Sequence, residues 1–168
     1  PTLSVDPASG NEDSAITLDI TAGLTDADET LSVTISDIPA GATLSAGTVN
    51  PDGTVTLTAA ELAGLTITPP EDFSGSFDLT VTATSSDGAD TASIADTLSV
   101  TVDPVADAPT LSVDPASGNE DSAIALDITA GLTDADETLS VTISDIPAGA
   151  TLSAGTVNPD GTVTLTAA

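Results

Sequence analysis

Short stretches of the chain alternate apolar and polar residues with a period of two. Ile16, Leu18 and Ile20 alternate with Thr17 and Asp19, and Leu31, Val33 and Ile35 with Ser32 and Thr34. Val55 and Leu57 lie between Thr54, Thr56 and Thr58. Phe77, Leu79, Val81 and Ala83 alternate with Asp78, Thr80, Thr82 and Thr84, and Leu98, Val100 and Val102 with Thr97, Ser99 and Thr101. Successive side chains of a strand point to opposite faces, so this β-branched alternation predicts strands with one buried and one wet face. With a short first strand at Thr2 to Val5, the pattern gives about seven strands in a stretch of roughly 100 residues. No window holds a helical period. The best candidate for a helical turn is Thr58 to Gly64, closed by its glycine.

The breaks between these runs carry turn chemistry. Asn50-Pro51-Asp52-Gly53 reads as a tight turn, and Ile38-Pro39-Ala40-Gly41, Pro69-Pro70-Glu71-Asp72 and Ser86-Asp87-Gly88 mark three more. Short strands at this spacing predict an all-β fold: a two-sheet antiparallel sandwich of immunoglobulin-like or cadherin-like type.

The pattern then starts again. Pro109 to Ala168 repeats Pro1 to Ala60 with one change, Thr17 becoming Ala125. A period this long fits one domain per repeat rather than one turn of a solenoid. Residues 1–108 form one complete repeat and residues 109–168 a partial second copy, joined by the linker 103–109. Pro104 and Pro109 restrict the linker backbone, which reads as a short semi-rigid spacer. The partial copy lacks the equivalents of Glu61 to Ala108, including Phe73 and Phe77, and its apolar face is expected to be open or completed by another chain. Beginning and stopping within a repeat, the chain reads as an excerpt of a longer array.

Composition narrows the partners. The chain has no Lys, Arg or His against 27 Asp and Glu, a formal charge of −27. Nothing can neutralise a phosphate, which excludes nucleic acid and disfavours anionic membrane surfaces. No apolar run approaches the ~20 residues of a spanning helix, so direct membrane insertion is not expected. A purely solvating acidic tail is also excluded, because 39% of residues are hydrophobic and the mean hydropathy is positive. Without cysteine, disulfides contribute nothing, and without lysine there are no Lys-Asn crosslinks. Like charge concentrated on folding destabilises the compact state unless cations relieve it.

Many acids gather in loops: Glu12-Asp13, Asp26-Ala27-Asp28-Glu29, Glu71-Asp72, Asp87 with Asp90, and Asp103 with Asp107 in the linker. The second copy repeats Glu120-Asp121 and Asp134-Ala135-Asp136-Glu137. Calcium takes six to eight oxygens, largely carboxylates and carbonyls, and turns clustered repulsion into binding. The bland alternative is that these acids only solvate loops. Since the loops of a sandwich collect at its two ends, the linker, Glu120-Asp121 and Asp134 to Glu137 are expected to meet at one end. Asp103 and Asp107, up to ~13 Å apart in an extended chain, serve different ions unless the chain bends at Pro104.

The runs Ala108-Pro109-Thr110-Leu111-Ser112-Val113 and Gly118-Asn119-Glu120-Asp121-Ser122-Ala123-Ile124 resemble tandem repeats of giant bacterial adhesins. Leu132-Thr133-Asp134-Ala135-Asp136, Ile146-Pro147-Ala148-Gly149-Ala150, and Leu65 to Pro70 with Phe73-Ser74-Gly75 are similar to the same group. The family is the immunoglobulin-like or cadherin-like extender repeats of RTX-type, type I-secreted adhesins. The resemblance implies an extracellular, cell-surface stalk module that neighbours identical repeats and binds calcium through linker and loop acids. The implied ligands are Asp103 and Asp107, Glu120 and Asp121, and Asp134 and Asp136. In the first copy they are Glu12, Asp13, Asp26 and Asp28. The linker lacks the asparagine of cadherin joints, and the glycine and distal glutamate of an EF-hand loop are missing.

Catalysis is not expected. Only paired carboxylates are available, and the aromatics that line sugar sites are absent apart from two phenylalanines. Two other expectations compete with the stalk. One is a fibre in which like chains share strands, motivated by the partial copy. The other is a glycan- or surface-binding module on the threonine rows, whose plainer reading is ordinary wet strand faces.

Overall fold

The computed structural model describes residues 1–166, which divide into two compact units, the first ending at Val105 and the second beginning at Ala106. The first unit holds strands β1 (Thr2–Asp6), β2 (Ala8–Asn11), β3 (Ile16–Thr17), β4 (Asp19–Gly23), β5 (Thr30–Ser36) and β6 (Thr43–Leu44). They are followed by β7 (Thr48–Val49), β8 (Val55–Leu57), β9 (Thr66–Thr68), β10 (Gly75–Asp87) and β11 (Asp90–Asp103). One sheet has six strands in the order β2-β11-β10-β5-β8-β7. The remaining strands form a three-stranded sheet, β3-β9-β6, and the pair β1-β4.

The unit is all-β and sandwich-like, because alternate residues from both groups of strands enter one core. Val33, Ile35, Leu57, Leu79, Val81, Leu98 and Val100 come from the six-stranded sheet, Ile16, Ile20 and Ile67 from the others, and Leu18 from between β3 and β4. All of these are at most 5% exposed, as the alternation demands. The helical turn is a short 3₁₀ helix, Ala59–Leu62. The Thr58 N–H and hydroxyl both donate to the Glu61 carboxylate at 2.8 Å, and Leu62 reaches the core.

Three details depart from the expected strands. The run Ile16 to Ile20 is broken at Leu18, whose N–H donates to Leu65 O at 2.9 Å, so β3 pairs with β9 while β4 pairs with β1. β2 was not expected, since Ala8-Ser9-Gly10-Asn11 carries no apolar alternation. It also pairs parallel with the end of β11, Val100 opposite Ala8 and Asp103 opposite Asn11, so the sandwich is not wholly antiparallel.

The second unit contains β12 (Thr110–Asp114), β13 (Asp127–Gly131), β14 (Ser140–Ile143), β15 (Thr156–Val157) and β16 (Val163–Thr166). β12 pairs with β13 in the register of β1 and β4, Leu111 opposite Ala130 as Leu3 is opposite Ala22. β16 lies between β14 and β15, as β8 lies between β5 and β7. The counterparts of β2, β3 and β6 are absent from the described residues. No helix among the described residues is long and apolar enough to cross a membrane.

Candidate metal centre

The β10-β11 hairpin sets the long axis of the first unit. Asp87 and Asp90 pair at its turn, and Gly75 and Val102 at its open end. At ~3.3 Å per residue the thirteen steps from Asp90 to Asp103 span roughly 40 Å. The Asp26 to Glu29 loop lies at the turn end, because Thr30 pairs with Ser86. Glu12 lies at the open end, where its N–H donates to Asp103 O at 3.0 Å. These two acidic loops of one repeat are therefore at opposite ends and cannot share an ion. In the second unit the linker does reach the Asp134 to Glu137 loop, through Asp107 and Glu137, while Glu120 and Asp121 are exposed.

Three of the expected ligands, Glu12, Asp13 and Asp103, come together at the open end. Asp72 joins them from the loop between β9 and β10, its N–H donating to Asp13 Oδ1 at 3.2 Å. Carboxylate oxygens of Asp13 and Asp72 lie within 4.8 Å of each other. Both residues have left-handed backbone, each with φ 54°, which short polar side chains tolerate better than others. Asp72 belongs to a loop singled out for its acidity, yet only the topology links it to Asp13, 59 positions away.

Glu12 is the unusual member. It is 3% exposed, and its Oε1 accepts the Val105 N–H at 2.6 Å. Its Oε2 is buried and accepts no hydrogen bond. A buried carboxylate is costly unless paired, and no basic side chain exists to pair with it. Carboxylate and carbonyl oxygens are the hard ligands that divalent cations such as calcium take.

The loop Asp26 to Glu29 is ordered by its own contacts. Asp26 Oδ1 accepts the Asp28 N–H at 3.0 Å, and Glu29 Oε2 is buried without a hydrogen bond. In the second unit the same loop meets the linker. Asp136 N–H donates to Asp134 Oδ1 at 2.8 Å, Asp107 N–H donates to Glu137 Oε1 at 2.6 Å, and Asp134 is buried. Asp107 thus meets, through Glu137, the loop that also carries Asp134 and Asp136. Glu29 and Glu137 stand beside the expected ligands in sequence, but an aspartate-based motif passes over them. Glu120 and Asp121 are exposed. Asp103 belongs to the first unit and Asp107 to the second.

The threonine rows are engaged locally. The Asn50 side-chain amide donates to the Thr54 and Thr56 hydroxyls, each at 2.9 Å, while Thr58 donates to Glu61. The Thr54 hydroxyl also donates to Asp52 Oδ1 at 2.8 Å, its N–H donates there at 3.1 Å, and together they hold the Asp52 carboxyl below its ordinary value. Thr162 does the same for Asp160, and the Thr58 N–H and hydroxyl lower Glu61. Thr80, Thr82 and Thr84 are half-buried within the sheet.

No protein-family model, curated protein or solved structure matches the chain.

Proposed function

We propose that the chain is a structural spacer from an extracellular, tandemly repeated bacterial surface stalk. Its repeats are immunoglobulin-like or cadherin-like extender modules that bind calcium at their acidic ends. One observation carries the calcium reading: Glu12 Oε2, buried and without a donor in a chain that has no cation of its own apart from a terminal amine. Glu12, Asp13, Asp72 and Asp103 hold one ion, and Asp134, Asp136 and Glu137 with the linker residue Asp107 hold another. When bound, calcium neutralises carboxylates that otherwise repel one another.

The chain's own groups tie the linker down on both sides. The Val105 N–H is on Glu12 and the Asp107 N–H on Glu137, leaving Ala106 between the two anchors. An ion that fixes Glu12 holds the linker backbone at Val105, a second that fixes Glu137 holds it at Asp107, and the array stiffens. Rigid spacing is the function, and it requires no reacting group.

A far-UV circular dichroism melt with calcium, with chelator and with magnesium tests this reading. Extracellular calcium modules have dissociation constants of about 10⁻⁴ to 10⁻³ M, so millimolar calcium suffices. Calcium is expected to raise Tm clearly, and matched magnesium much less. Identical melts would reduce the acids to solvating groups.

A further inference from the structure

We propose that Asp87 is a spontaneous modification site, at which the chain isomerises to isoaspartate with water as the only reagent. The chain has three Asp-Gly pairs, Asp52-Gly53, Asp87-Gly88 and Asp160-Gly161. Glycine has no Cβ to shield its amide nitrogen, so all three have the composition for cyclisation. In the reaction the Gly88 nitrogen attacks Asp87 Cγ. A C–N bond forms, the C–OH bond of the protonated carboxyl breaks, and the amide proton leaves with that hydroxyl as water. A second water then opens the cyclic imide. Opening at Cγ restores aspartate, while opening at the Asp87 carbonyl carbon leaves the backbone running through Cγ. Nothing is oxidised or reduced.

The three aspartates are all exposed, so burial does not separate them. Hydrogen bonding does. Asp52 Oδ1 accepts the Thr54 hydroxyl at 2.8 Å and the Thr54 N–H at 3.1 Å, and the Gly53 N–H donates to Asn50 O at 3.0 Å. Asp160 and Gly161 repeat these bonds with Thr162 and Asn158. Carboxylate and nitrogen must both leave their partners before either ring can close. The threonine bonds also favour the ionised carboxyl, which has no hydroxyl to lose.

Asp87 and Gly88 stand at a different kind of turn. Gly88 and Ala89 form the two-residue loop of the β10-β11 hairpin, and φ +59° at Gly88 suits a type II′ turn. Neither the Asp87 carboxylate nor the Gly88 N–H has a hydrogen-bond partner among the described residues. Asp87 is also paired directly with Asp90, and like charges opposite one another loosen the end of the hairpin. Local opening there lets the Gly88 nitrogen reach Cγ.

The test incubates the whole chain in heavy-oxygen water at mildly acidic pH and maps its peptides by mass and retention. Each cycle of closure and opening inserts one heavy oxygen, and isoaspartate gives the peptide a second chromatographic peak. Giving up one charge-assisted hydrogen bond slows a step by roughly tenfold, so Asp87 is expected to react about tenfold faster than Asp52 or Asp160, or more. Asp87→Glu, whose larger ring closes far more slowly, should remove label and second peak at that position. Thr54→Val should raise the rate at Asp52 and leave that at Asp160 unchanged. In concentrated urea the three rates should converge. Absence of label at Asp87 would overturn the proposal, as would equal rates at the three pairs in the folded chain. An advantage of Asp87 that persists in urea would overturn it too, because the flanking residues rather than the turn would then set the rate.

Discussion

Ile16 and Leu18 are each 2% exposed, whereas the same residues one repeat later, Ile124 and Leu126, are 45% and 52% exposed. Their immediate neighbours in sequence are nearly identical, so local propensity does not separate them. The pairs β1-β4 and β5-β8-β7 have both partners within the first 60 residues, and they recur as β12-β13 and β14-β16-β15. Strands β2, β3 and β6 pair with β9 or β11, and their counterparts do not form. Each strand exists where its partner exists. Strand formation here follows cross-strand partners and burial more than residue preference.

The largest effect should separate the units most sharply. Leu18→Ala is expected to destabilise the first unit by about 2–5 kcal/mol, the range for buried leucines. Leu126→Ala should change stability by no more than about 0.5 kcal/mol, as for an exposed site. Urea unfolding followed by circular dichroism measures both. Equal costs would break the comparison.

Gly47 and Gly155 should instead behave alike. Their φ values are +100° and +102°, and an added Cβ would stand 2.5 Å from Val55 Cγ1 and Val163 Cγ1 respectively. Alanine at either position is expected to cost about 1–3 kcal/mol through overpacking and strained backbone. A cost in only one unit would show that the β7-β8 and β15-β16 corners are not equivalent.

Glu12→Gln tests the metal centre with little change of shape. It should remove most of the calcium-dependent rise in Tm while leaving the calcium-free melt no less stable. Glu120→Gln, at the exposed counterpart, should alter neither melt. Matched behaviour of the two variants would remove Glu12 from the site.

The smallest effect is a shared one. Threonine hydrogen bonds lower the Asp52 and Asp160 carboxyls, so their turns gain stability above the ordinary carboxylate pKa of about 4. That gain fades as pH falls through the lowered folded-state values. NMR titration should give the same low midpoint for both residues, and Thr54→Val should raise only that of Asp52.

Much of this was legible in the chain. Alternation at Leu31 to Ile35, Phe77 to Ala83 and Leu98 to Val102 located the principal strands, since these residues have one buried face. β2 was not, because its pairing partner lies about ninety positions away and its own residues are small and polar. The acids of the candidate metal centre were visible as clusters, but their grouping was not. Which loops share an end depends on strand direction, and only the β10-β11 axis separates Glu12 from Asp26. Glu12 also looks like any loop acid until Val105 and Asp103 are seen to enclose it.

Native-state hydrogen exchange of the unmodified chain, resolved by residue, tests the central comparison most directly. Gly10, Asn11 and Ile16 are expected to be strongly protected, while Gly118, Asn119 and Ile124 exchange close to the unstructured rate. Leu3 and Leu111, in strand pairs that both units retain, should differ less. Equal protection of Ile16 and Ile124 would contradict the account, because residues 61–105 would then not be what orders the strands they touch.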